Sequence, residues 1–204
     1  MRAHVQSPVR GLSPKSDPTA MILSLFKHSS RPAAARALYG DVVRQARRTA
    51  FYGPGGVADT EDGRYDLILL HMFLVLERLN RVSPDPAQLK QDLFDTLFED
   101  LDINLREMGY GDTGVKIRIQ RMVEGFYGRM TAYRDGLAGG DGGLEAALRR
   151  NLFRNTEPAT AHVARLADYV RAQTAALAAR DDGDLLAGRA GFSAPQWPEE
   201  GAGP

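Results

Sequence analysis

Few side chains in this sequence have the type and spacing that chemistry requires. Imidazole chemistry would have to use His4, His28, His71 or His162, and these are scattered along the chain. His71 alone sits in a setting where a metal site is conceivable, with carboxylates such as Asp95 or Glu99 supplied by the next helix. A di-iron bundle, however, needs Glu-x-x-His on two helices, and neither segment has it. A lone imidazole without a convergent ligand set reads instead as a hydrogen-bonded core residue. The carboxylates of Asp92, Asp95, Glu99, Asp100 and Asp102 follow one another along a helix face. That spacing spreads them out, whereas a calcium loop wraps its ligands round one ion, so the stripe reads as a solvated face or a face for a basic partner. There is no phosphate-binding glycine loop before a helix, no HExxH and no CxxC. The absence of cysteine excludes disulfides and thiolate metal sites.

Two glycine-containing strings are more specific. Gly63 falls with Arg64 in the first turn of an apolar helix, where glycine costs about 1 kcal/mol relative to alanine, which points to close approach of backbone or ligand. In Phe126-Tyr127-Gly128-Arg129 the aromatics suit a core, and Gly128 would open a shallow groove able to receive a partner helix.

The elements that must position these residues are all helical. From Leu67 to Leu76 only His71 is polar, so a helix at about 60–79 must be enclosed on every side. The run is short of the roughly 20 residues a bilayer span needs, which makes it the centre of a protein core. Asp59 and Thr60 are good N-caps for it, and Glu61, Asp62 and Asp66 suit the positive end of its dipole. Helical periodicity predicts a basic helix from about Pro32 to Thr49 and an acidic one from about Ala87 to Met108, capped by Asp85 and stopped at Gly109. A basic helix capped by Asp112 or Thr113 follows from about Val115 to Leu137, then shorter helical stretches at 144–153 and 159–179. An acidic helix joined to a basic one by a short turn should fold back antiparallel. No segment alternates as a strand, so the fold class is all-α, a compact bundle of about five to six helices around the buried central one.

Composition sets the remaining bounds. The 204 residues, 43% hydrophobic, predict one domain over 32–180, a disordered basic tail over 1–31 and an irregular tail over 181–204 in which Phe192 and Trp197 dock. Net charge is zero, yet residues 1–52 carry nine basic side chains against two acidic ones. A basic front on an acidic body suits an anionic surface such as a ribosome or lipid headgroups, without implying a specific nucleic-acid sequence. The one early apolar stretch, Met21 to Phe26, is too short for a signal-peptide core.

Four strings taken together resemble the ubiquinol–cytochrome c chaperone family, the assembly factors of respiratory complex III: QARRTAFYG (45–53), DTEDGRYDLILLHMFLVLERL (59–79), FEDLDINLREMGYGD (98–112) and MVEGFYGRMTAY (122–133). The resemblance implies a non-enzymatic all-helical chaperone in a bacterium, needing no cofactor and holding newly made cytochrome b or an early assembly intermediate. Its place would be cytoplasmic, peripheral at the inner membrane. The residues it marks as candidates for client or partner contact are Arg47, Tyr52, Asp59, Gly63, Arg64, Asp66, Arg106, Glu107, Asp112, Phe126, Tyr127, Gly128 and Arg129. Arg64 with Asp66, and Arg106 with Asp112, are also placed to tie helix ends together. The alternative from another class is a helical metal-dependent or quinone-related enzyme using His71 and helix-borne carboxylates.

Overall fold

Apolar side chains recurring every third or fourth residue can be buried together only if each segment coils into a helix and the stripes face one another. The computed structural model, which describes residues 33–52, 55–139, 143–154 and 156–195, realises this with helices alone. They are α1 (Ala33–Ala46), α2 (Glu61–Leu79), α3 (Ala87–Glu107), α4 (Asp112–Ala138), α5 (Gly143–Leu152), α6 (Thr160–Ala178) and the five-residue α7 (Asp182–Leu186), with a 3-10 turn at Thr49–Phe51. The described residues contain no strand. The expected tail at 1–31 lies outside them, as do residues 196–204, with Trp197, of the tail expected over 181–204. Residues 181–195 of that tail are described, and they hold α7 with Leu185 and Ala190 fully buried.

Helix α2 is the axis of the molecule. Every residue from Leu67 to Val75 is buried, and α1, α4, α5 and α6 all pack against it. Burying one such Leu or Phe side chain is worth about 1.5–3 kcal/mol, so this one helix supplies a large share of the driving force. Thr60 caps it as expected, its side chain accepting from the Gly63 amide at 3.1 Å. Helices α3 and α4 fold back on each other through an aromatic seam in which Phe94 lies 5.3 Å from Phe126 and 6.1 Å from Tyr127, centroid to centroid. Arginines of α4 reach the central helix: Arg129 meets Asp66, and Arg134 meets Glu77.

Two expected caps are replaced. Pro86, with no side-chain bond, occupies the N-cap of α3, and Asp85 pairs instead with Lys90 Nζ at 2.7 Å. Helix α4 starts three residues early, with Gly111 as its N-cap, so Asp112 lies inside the first turn where its charge favours the helix dipole. Gly109 does end the preceding helix in the left-handed conformation, φ 86°. Within α4, Gly136 lets the start of α5 approach so closely that a Cβ there would stand 2.8 Å from Leu144 Cα.

Candidate functional site

The residues singled out by sequence fall into three places. The first is the entry to α2. Tyr52 Oη donates to Ala46 O at 2.8 Å, and Asp59 pairs with Arg64 Nε at 2.7 Å on the surface. Partial burial pushes the Tyr52 phenol up to about 12; Asp59 adds to the rise, while Arg64 and Arg47 oppose it. Gly63 is where the backbone approach occurs: a Cβ would stand 2.0 Å from Ala58 O. The pairing of Arg64 with Asp66 does not form: residues two apart on a helix lie on opposite faces, so Arg64 reaches back to Asp59 on the surface while Asp66 turns inward.

Asp66 is instead the centre of the second place, a charged cluster inside the bundle. Its carboxylate, 3% exposed, takes Arg129 Nη2 on Oδ1 at 2.9 Å and Arg154 Nη2 on Oδ2 at 2.5 Å. Arg129 arrives from α4, and Arg154 from the turn after α5. Tyr65 Oη, Tyr133 Oη and Arg129 Nε are buried here with no hydrogen-bond partner among the described residues. Burial holds the Asp66 carboxyl above the ordinary carboxylate range, with Arg129 and Arg154 pulling it back. Phe126 and Tyr127 belong to the adjoining aromatic seam with Phe94 and Phe98. Gly128 is exposed, and a Cβ on it would meet nothing within 4 Å, so the space beside it is open.

The third place is the tip of the α3–α4 hairpin. Arg106 donates to Asp102 and Asp112, both at 2.7 Å, tying the two helix ends as anticipated. Its hydrogen bond to Asp112 holds that carboxyl below the usual range. Glu107 is exposed beside it, as are Met108 and Tyr110, and Arg118 stacks 4.7 Å above the Tyr110 ring.

His71 belongs to a fourth constellation that sequence reading left largely unseen. Its Nδ1–H donates to Leu67 O at 2.7 Å, so Nε2 must accept, and it does so from Tyr169 O–H at 2.8 Å. Tyr169 Oη in turn accepts from Gln45 Nε2 at 2.8 Å. Both ring nitrogens are therefore engaged within the protein, and complete burial lowers the imidazole pKa to about 4. The ring stays neutral and has no lone pair to offer a metal in this arrangement. Gln45 and Gln173, buried polar residues on the apolar stripes of α1 and α6, were the available signal: an amide on an inward stripe must find a partner. Arg78, also missed, reaches Leu177 O at 2.7 Å and Arg180 O at 2.8 Å, satisfying carbonyls at the end of α6.

What the arrangement offers chemically is rigidity and surface. No group of three or more His, Asp or Glu among the described residues is placed to hold a metal. Nor is any described helix long and apolar enough to cross a membrane.

A family model described as ubiquinol-cytochrome C chaperone matches residues 55–194. Ubiquinol-cytochrome c reductase complex assembly factor 1 of Homo sapiens is 27% identical over 153 residues, 75% of this chain and 51% of the human protein. The Xenopus laevis counterpart is 26% identical, with 76% of its length covered. This chain spans about half the length of the human and mouse relatives it matches. Among solved structures, the Cbp3 homolog from Brucella abortus superimposes with a TM-score of 0.68 at 37% identity, covering 82% of this chain and 93% of that one.

Proposed function

Because the chain belongs to the ubiquinol-cytochrome C chaperone family, we propose that it is a non-enzymatic assembly chaperone for the ubiquinol–cytochrome c reductase complex, holding newly made cytochrome b or an early intermediate. The observation that carries this reading is the family match across residues 55–194, which takes in the central helix, the Asp66 cluster and the hairpin tip together. The internal chemistry supports it. A holder needs a stiff scaffold with outward-facing contacts, and here the buried Asp66 carboxylate ties α4 and the turn after α5 to the central helix, while the Arg106 cluster and the neighbouring apolar side chains face outward. Work at the cytoplasmic face of the inner membrane, with the basic front meeting anionic lipid or a ribosome, belongs to the same proposal.

The competing enzyme reading depends on His71 as a ligand, and the engagement of both ring nitrogens by Leu67 and Tyr169 speaks against it. The test is co-purification of the tagged full chain from bacterial membranes, with complex III levels measured in a deletion strain. Enrichment of cytochrome b and a fall in complex III are expected. No enrichment, with complex III unchanged, would overturn the proposal.

A further inference from the structure

The end of the described chain lies on the bundle as a bound peptide lies on a receptor. Its main chain is read at two positions, Ala190 and Ser193, by side chains of α1, of α6 and of Arg180 just beyond it. The Ala190 N–H donates to Asp41 Oδ2 at 2.9 Å, and its carbonyl accepts from Arg180 Nε at 3.1 Å. The carboxamide of Gln173 pairs with both backbone groups of Ser193, accepting its N–H at 3.1 Å and donating to its carbonyl at 3.2 Å. Gln45 Nε2 donates to the same carbonyl at 2.6 Å. Between these anchors the Phe192 ring meets His71 edge-on, 5.2 Å between centroids, in a slot shared with Phe51 and Tyr169.

Both glutamines are nearly inaccessible, 4% and 3% exposed, so this is a built site. Its contacts specify free main-chain groups at two positions and one aromatic ring, and Ala190, fully buried, admits only a small side chain at its place. One further restriction is local: Gly191 has φ 64°, and a Cβ there would collide with the Arg180 guanidinium. Beside Ser193 and Ala194 the groove continues into a cleft of about 380 Å³ lined by Arg165, Asp168, Tyr169 and Ala172. The site therefore has room beyond the segment that occupies it.

We propose that this groove between α1 and α6 is a peptide-binding site, filled in cis by residues 190–193 and taken over in trans by a glycine- and aromatic-bearing segment of the chaperone's client. The inference rests on the chaperone reading for the identity of the occupant. Membrane-spanning polypeptides are rich in glycine and carry aromatic belts, and before insertion their backbones are unpaired, which matches what the groove reads. The cis segment competes at the high effective concentration of a tethered ligand, so the resting protein binds weakly and the client must be delivered close by.

The test uses the full chain and a fluorescently labelled peptide RAGFSAP, the sequence of residues 189–195, read by anisotropy. Phe192→Ala loosens the cis segment and should tighten peptide binding by about tenfold, as expected when the competent state becomes more populated. Adding Gln173→Ala, or Gln173→Glu, which keeps the acceptor and loses the donor, should return binding to the wild-type level. A peptide with alanine in place of phenylalanine should not bind. Circular dichroism on each variant separates lost binding from lost folding. No gain with Phe192→Ala in a folded chain, or a gain indifferent to Gln173, overturns the proposal. So does a change from dimer to monomer on Phe192→Ala in light scattering, which would mean that copies exchange tails. In membranes, cytochrome b recovered equally by Phe192→Ala and by the double variant would remove the client from this groove and leave the chaperone reading intact; only failure of the wild-type pulldown would remove that.

Discussion

Two ionic clusters of mirrored composition differ in the burial of their central group. Around Asp66 one buried carboxylate holds two arginines, Arg129 within the bundle and Arg154 at its surface; around Arg106 one exposed guanidinium holds two aspartates at the hairpin tip. Both fall within the family-matched region. Their physics is different. A buried ion pair is weak evidence of added stability, because desolvation offsets attraction, yet removing one partner strands the other in a medium that cannot solvate it. An exposed pair gains little and loses little, since water replaces whatever leaves. The inner cluster is therefore a constraint on how α2, α4 and the turn after α5 meet, and the outer one is free to change partners.

The largest expected effect lies at the inner cluster. Asp66→Ala strands Arg129, 12% exposed, and should lower unfolding free energy by about 3–5 kcal/mol in urea titration. A loss below about 1 kcal/mol would place the cluster with the outer one and dissolve the contrast.

His71 supplies the next test, being buried on the same helix but uncharged. Burial lowers its pKa to about 4, against about 6.5 in an unfolded chain. Between those values the unfolded state binds more protons, so stability is fully present above pH about 6.5 and declines as pH falls toward about 4, by at most about 1.4 kcal/mol per pH unit. Asp66, its pKa raised, contributes with the opposite sign: what it adds is present at low pH and is lost as pH rises through its own shifted value. The two are separated by His71→Phe, in which the slope between pH about 6.5 and about 4 should flatten. An unchanged slope would show that the imidazole is not the titrating group.

Smaller still is the effect of Arg154, whose side chain is 43% exposed. Arg154→Ala leaves Asp66 its bond from Arg129 and lets water reach the freed oxygen. The expected loss is within about 1 kcal/mol, measured by the same titration.

The contrast also marks where sequence reading stops. The helices were legible because burial imposes a period on Leu, Ile, Val and Phe, and the start of α2 because Thr60 and Gly63 obey local capping geometry. The Arg106 tie was legible because its partners lie four and six residues away. The Asp66 cluster was not: its arginines lie 63 and 88 residues along the chain, and nothing local distinguishes them from the many other arginines. Gly63 and Gly128 show the same limit. Whether a glycine faces a close neighbour or open space is decided by tertiary packing: a carbonyl approaches Gly63, and nothing stands within 4 Å of a Cβ at Gly128. The glutamines that hold Ser193 had a weak local signature, an amide on an apolar stripe, but their partner was a backbone and so left no trace in residue type.

At the outer cluster the expected change in stability is the smallest and the expected change in function is not. Arg106→Glu turns two attractions into repulsions, but Arg106 is exposed and water screens what results, so the melting midpoint should not move beyond experimental scatter. A holder that meets its client at this tip would nonetheless lose a charge beside the exposed Met108 and Tyr110, and recovery of cytochrome b should fall and become insensitive to added salt. A lowered melting midpoint would mean that the tie secures the hairpin and is no freer than the Asp66 cluster. Unchanged recovery in a stable variant would take client contact away from Arg106 and leave the cluster as a link between two helix ends.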